Sequence, residues 1–172
     1  MEFPLKNAKL RPWSLNDAES LSFHANNIKI ANYLRNGFPY PYTLKDAIGW
    51  LQGAQDNPNL LLAICVDDEA VGGIGLIHQT NIYRKSAEIG YWLSEKHWNK
   101  GIMTDAISTL SKYAFSNLGI VRVYAGIFEN NKASAQVLIK AGFELEAIHK
   151  QAIIKNDIIM DEHIYAILKA DS

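Results

Sequence analysis

Between Lys85 and Ile127 the spacing of apolar residues changes period twice, and that change limits the folds open to this chain. Ala87, Ile89, Tyr91 and Leu93 alternate with Ser86, Glu88, Gly90 and Trp92, the period-two pattern of a strand in a layered sheet. Glu88 and Gly90 therefore share one face. Ile102, Ala106, Leu110 and Ala114 then recur as one stripe flanked by Met103, Ile107, Tyr113 and Leu118, which is helical spacing closed by Gly119. Val121, Val123, Ala125 and Ile127 return to alternation. Strand, helix and strand in that order predict a sheet with helices packed on it.

The flanking segments extend this pattern. Ala8 to Trp13 reads as a short strand, and Ser14 is a cap candidate for a helical stretch beginning near Asn16. The alternating prolines and aromatics of Gly37 to Tyr42 forbid regular helix. Thr43 can cap the next helix, which is expected to carry Ala47, Ile48, Trp50 and Leu51 towards the core and to stop at Asp56-Asn57-Pro58-Asn59. The apolar runs 60–66 and 71–77, separated by Asp67-Asp68-Glu69, predict an antiparallel hairpin. A helix from about Lys132 to Ala141 closes with Gly142 just beyond. Two last strands, Phe143 to Ile154 and Ile158 to Leu168, meet through Lys155-Asn156-Asp157.

Composition excludes several classes. At 172 residues the chain fits one domain, read as 1–172, with a core large enough to need neither disulfide nor metal. A hydrophobic share of 48% with 20% charged residues is ordinary globular composition. Seventeen basic against eighteen acidic side chains leave a net charge of −1, which offers no excess to neutralise a nucleic-acid backbone. The start, Met1 to Lys6, lacks a basic region followed by an apolar run, and no segment reaches membrane-spanning length, so the expectation is a cytoplasmic protein without a membrane partner. Cys65, the one cysteine, lies in an apolar run and reads as a buried small hydrophobe. His24, His78, His97, His149 and His163 show no paired spacing suited to zinc, so no metal is expected.

The junction from Trp92 to Thr104 carries the most chemistry. It runs from a strand through a short loop into a helix start, where several backbone N–H groups lack partners and point along the positive end of the dipole. Gly101 permits close backbone approach, Lys100 adds charge and Thr104 a hydroxyl. This suits an anion; the plain alternative is a capped helix with no ligand.

Trp98-Asn99-Lys100-Gly101-Ile102-Met103-Thr104 resembles the coenzyme A pyrophosphate loop of the GNAT N-acetyltransferases. Ser86 to Leu93 resembles their central splayed strand, and Asn131-Lys132-Ala133-Ser134 with Lys140-Ala141-Gly142-Phe143 resembles their last helix and its exit. Leu10-Arg11-Pro12-Trp13 with Asp17-Ala18 is similar to the branch that acetylates N-termini of ribosomal proteins. The resemblance implies an α+β fold: a twisted, mixed, mostly antiparallel sheet of about six or seven strands with helices on both faces, and acetyl-CoA as co-substrate lying where the two central strands separate. It assigns phosphate contacts to the backbone of Lys100, Gly101, Ile102, Met103 and Thr104, places the pantetheine arm beside the backbone of Tyr91, Trp92 and Leu93, and matches Asn131 to a coenzyme-contacting position that can also cap the last helix. Family loops carry Gln or Arg where this chain has Trp98, and Gly or Ala where it has Met103; a backbone amide at 103 can still donate.

For transfer the resemblance implies Glu88 as the base, acting directly or through water, with a plain ion pair to Arg84, Lys85 or a neighbouring strand as its alternative reading. Many family members place a sulfur-protonating tyrosine where this chain has Leu138, so Ser134, directly or through water, is the candidate proton donor, its alternative being a hydroxyl bonded back to the preceding turn. The backbone amide near Trp92 is the candidate for polarising the thioester carbonyl. Asp161, Glu162 and His163 read as a solvated strand start, the acceptor end of the cleft being their alternative, and Trp13, Tyr33, Phe38, Tyr40, Tyr42 and Trp50 as core or acceptor wall. The implied function is acetyl transfer to the α-amine of a protein or peptide. A small-molecule amine such as a polyamine, amino acid or antibiotic is the alternative acceptor, and an acyl-CoA-binding module without turnover is the alternative class.

Overall fold

A computed structural model describes residues 1–170. Along the chain run β1 (Phe3–Pro4), β2 (Lys9–Pro12), α1 (Ala18–Ala25), α2 (Ile28–Ala31), α3 (Leu44–Gln55), β3 (Leu60–Val66), β4 (Glu69–His78), β5 (Ser86–Leu93), α4 (Ile102–Asn117), β6 (Arg122–Phe128), α5 (Lys132–Lys140), β7 (Glu144–Lys155) and β8 (Ile158–Leu168). The strands are hydrogen-bonded in the order β1-β2-β3-β4-β5-β6-β8-β7. The β5–β6 pair is parallel, while β1–β2, β2–β3, β6–β8 and β7–β8 are antiparallel. This is the mixed, mostly antiparallel sheet implied by the sequence, with eight strands in place of six or seven. The two-residue β1 is too short to show an alternation and contains Pro4.

The described residues gather into two compact units, one made of 1–75 with 91–106, the other of 76–90 with the chain from Ile107 onward. In the first unit Ser14 closes a capping box with Asp17, and Thr43 closes one with Asp46, so both predicted caps form. Leu21, Ala25, Tyr42, Ala47 and Leu51 make a buried cluster against which Trp13, Ala18, Phe38 and Trp92 pack. Ile48 and Trp50, expected in the core, are 41% and 40% exposed. Ala47 and Leu51 stand four residues apart and fill the buried stripe, whereas positions 48 and 50 fall on its flanks. Trp50 nevertheless sets its ring edge-on to Trp13 at 5.3 Å. The β3–β4 turn is the pair Asp67 and Asp68, both at positive φ, so β4 starts at Glu69, two residues before the predicted Val71. Cys65 is buried, and burial pushes its thiol up to about 11.

In the second unit β5 and β6 pair through Ser86↔Arg122, Ala87↔Val123 and Glu88↔Tyr124. β6 pairs with β8 from Arg122↔Leu168 to Phe128↔Glu162. Val123, Ala125 and Ile127 are buried while Arg122, Tyr124 and Gly126 are half-buried, as the alternation predicts. β7 and β8 meet in a tight turn at Asn156 and Asp157, both at positive φ, and β7 carries register shifts between Leu145 and Ala147 and between His149 and Ile153. Gly119 and Gly142, at φ +66° and +92°, follow α4 and α5 as predicted. No described helix is long and apolar enough to cross a membrane.

Candidate active site

In the first unit, β5 ends at Leu93 and the chain turns through residues 94–101 into α4. The turn is fixed from several sides. Ser94 N donates to Val71 O at 2.9 Å, and Trp98 Nε1 donates to Leu93 O at 2.7 Å. Gly72 and Gly73 allow β4 to lie this close: a Cβ on Gly72 would sit 2.6 Å from Trp92 O, and one on Gly73 2.8 Å from Trp92 Nε1. Trp92 is half-buried with its ring 5.8 Å from Phe38, Tyr91 is half-buried and Leu93 is buried.

Asn99 and Gly101 both take positive φ, +59° and +76°. The first helical bond of α4 runs from Asp105 N to Gly101 O at 3.1 Å, so the amides of Gly101, Ile102, Met103 and Thr104 precede the intrahelical ladder. The side chains of Ile102 and Met103 are buried, at 4% and 8% exposure, while Lys100 and Gly101 are exposed and Thr104 is half-buried. With its apolar side chains in the core, the segment offers a ligand its backbone, one lysine and one threonine. A Cβ on Gly101 would meet nothing within 4 Å, so the space beside this residue is open. These residues fit a pyrophosphate held by main-chain donors. The departures at Trp98 and Met103 thus acquire structural work: Trp98 ties the loop to the end of β5, and Met103 anchors α4.

Behind the loop is an arrangement the sequence did not reveal. His24, on α1 and 6% exposed, reaches Ser94 Oγ with Nδ1 at 2.8 Å and Glu69 Oε1 with Nε2 at 2.9 Å. An ionised Glu69 only accepts, so Nε2 carries hydrogen, and a neutral ring then accepts the Ser94 hydroxyl at Nδ1. Ser94 is 4% exposed, which makes this a tie between α1, β4 and the start of the loop. His97 in the same loop has its pKa lowered by burial first, then by Lys100 and His24. Glu69 and Ser94 stand 45 and 70 positions from His24 in sequence, so no local motif announces the tie.

The second unit holds Glu88, Asn131 and Ser134. Glu88 is half-buried on β5, in register with Tyr124. Asn131 caps α5, its Oδ1 accepting from Ser134 N at 3.2 Å, and Ser134 is 9% exposed. Leu138 is fully buried, so the position where relatives place a tyrosine is core here. Asp161, Glu162 and His163 lie within β8, whose bounds Ile158–Leu168 are those expected. Two of them are paired: Asp161 accepts from Lys150 Nζ at 2.7 Å, a bond that holds its carboxyl below the usual range, and Glu162 meets His149 at 3.1 Å. Among the described residues no group of three or more His, Cys, Asp or Glu could hold a metal ion.

A strand running into a helix start whose backbone donors suit an anion is what this part of the fold offers a ligand. The chain matches the acetyltransferase (GNAT) domain model over residues 8–144, and it belongs to that family. It is 37% identical over 101 residues to the uncharacterized N-acetyltransferase YoaA of Bacillus subtilis (strain 168), covering 59% of this chain and 56% of that one. It is 34% identical over 106 residues to the ribosomal-protein-serine acetyltransferase of Escherichia coli (strain K12), covering 62% and 59%. The matched stretch thus spans less than two thirds of these curated relatives. Among solved structures, the microcin C7 self-immunity acetyltransferase MccE in complex with acetyl-CoA and AMP superimposes with a TM-score of 0.83 at 26% identity, over 95% of this chain and 93% of that one.

Proposed function

We propose that this chain transfers an acetyl group from acetyl-CoA to a primary amine, the first-choice acceptor being the α-amine of a protein or peptide, in the cytoplasm. The observation that carries the reading is the segment from Trp98 to Thr104, in which buried Ile102 and Met103 side chains leave main-chain donors to an anion. The E. coli relative named for a ribosomal-protein serine supports a protein acceptor, and the MccE complex supports acetyl-CoA as the donor.

In this reading Lys100 to Thr104 and Asn131 bind the coenzyme, and the backbone of Tyr91, Trp92 and Leu93 lines its arm. Attack of the amine on the thioester carbonyl forms the C–N bond as the C–S bond breaks. The amine's surplus proton goes to Glu88, directly or through water, and the departing thiolate takes a proton from Ser134, directly or through water, the serine regaining one from solvent as Glu88 releases its own. An α-amine with a pKa of about 8 is already partly neutral at pH 7, unlike a lysine amine near about 10.4, so Glu88 has less to do for it.

The test is thiol release from acetyl-CoA with peptides of different N-termini, polyamines and amino-acid amides. Peptides should turn over, Glu88→Gln should lower kcat by about 10²-fold, the low end for a general base, and Ser134→Ala should lower kcat with little change in KM for acetyl-CoA. Turnover confined to small amines would overturn the acceptor; coenzyme binding without turnover would leave a binding module.

A further inference from the structure

The second unit contains a cavity of about 320 Å³ whose walls include Tyr83, Ser86, Arg122, Tyr124, Glu146 and His149. Register places it on the Glu88 face of the sheet: Ser86 pairs with Arg122 and Glu88 with Tyr124. Ser86 and Glu88 are two residues apart along β5, roughly 7 Å. Two residues of extended peptide span about the same distance. An acceptor whose amine lies at Glu88 and whose chain runs along β5 towards Ser86 would bring the side chain of its second residue to this cavity.

The charges in the cavity are already arranged. Arg122 donates to Glu146 in a fork, Nε to Oε1 at 3.3 Å and Nη2 to Oε2, and its guanidinium lies 4.5 Å from the centre of the Tyr124 ring. His149 meets Glu162 at 3.1 Å, and a Cβ on Gly126 would strike Glu162 Oε1 at 2.5 Å, so the absence of a side chain at 126 makes room for that carboxylate. An incoming ammonium would find the Glu146 carboxylate partnered and the Tyr124 ring covered by a cation. An incoming carboxylate would share the Arg122 guanidinium with Glu146. A guanidinium has five N–H donors, and the Glu146 fork takes one from Nε and one from Nη2 of Arg122. Clamped by a carboxylate and a ring, Arg122 is pre-organised to donate two parallel bonds to a planar acceptor.

Building on the function proposed above, we propose that this cavity selects acceptors bearing a carboxylate on the residue after the reacting amine, with Arg122 as the specificity-determining residue and Tyr124 and Glu146 positioning it. Hydrogen bonds to charged groups imply about a tenfold to hundredfold preference.

Two readouts on the full chain test this. With acetyl-CoA, the ratio of kcat/KM for Ala-Glu over Ala-Gln peptide amides should be about tenfold or more, with Ala-Lys poorer still. With coenzyme A bound, N-acetyl-Ala-Glu amide should bind more tightly than its Gln counterpart by a similar factor in calorimetry. Arg122→Met should bring both ratios to near one, Arg122→Lys should recover only part of them, since an ammonium lacks the fork, and Glu146→Gln should shift them without abolishing them. Equal treatment of Glu and Gln peptides by the wild type, or ratios unmoved in Arg122→Met, overturns the proposal. Absence of turnover with every amine would sink the transfer reading, while the calorimetric ratio would still decide the cavity's role.

Discussion

His24 holds the start of the loop between β5 and α4 through Ser94. Its two ring nitrogens bind Ser94 and Glu69, and burial makes the bonds costly to lose. His24→Leu leaves the Ser94 hydroxyl without its ring partner and should lower stability by about 1–3 kcal/mol, read from urea midpoints. The Arg11–Asp17 pair works the same way at the base of the first unit, with both guanidinium bonds at 2.8 Å. Burial raises the Asp17 carboxyl, yet the Arg11 hydrogen bond, the Ser14 amide and the Arg11 charge outweigh it, so its pKa is lowered. A carboxyl with a depressed folded pKa contributes stability above its unfolded value of about 3.9 and loses it as pH falls from there. Arg11→Met should therefore cost about 3 kcal/mol near neutrality, and its deficit against wild type should shrink in unfolding curves taken progressively below about pH 4. The Arg11 to Ala18 stretch was visible in the sequence as a family pattern, and the Ser14 cap as a local rule. The His24 tie was not, because its partners meet only through tertiary packing.

At the scale of elements, α4 divides its labour between side chains and backbone. Met103 is buried while its amide precedes the helical ladder. Met103→Ala should cost about 2–5 kcal/mol through the cavity it leaves, with little change in KM for acetyl-CoA measured where the variant is folded. Gly101→Ala should do the reverse. Its Cβ has open space, but φ +76° is strained for an L residue by about 1–2 kcal/mol, and a backbone relaxing from that conformation re-aims the loop amides and raises KM. The helix stripe, its closing glycine and the period-two strands were legible because each is repeated over many residues. Boundaries at tight turns were less so: Asp67 and Asp68 make a two-residue turn where three residues were expected to separate the strands. The faces of α3 were misread at Ile48 and Trp50, since twelve residues with two glycines define a stripe weakly.

At the scale of the molecule, the match over residues 8–144 and the strand order place the chain in the GNAT family, and the sequence alone implied this through several motifs occurring in order. The acceptor was not legible, because the residues that line the Arg122 cavity come from four separate strands and the segment before β5. The measurement that tests the central claim most directly is mass-spectrometric location of acetyl groups on a peptide carrying both a free α-amine and a lysine, after incubation with acetyl-CoA near neutral pH. The account predicts acetyl on the α-nitrogen, formed in step with released thiol and slowed in Glu88→Gln. An unmodified peptide alongside unreacted acetyl-CoA, in a folded sample and with every other amine tried, would contradict it.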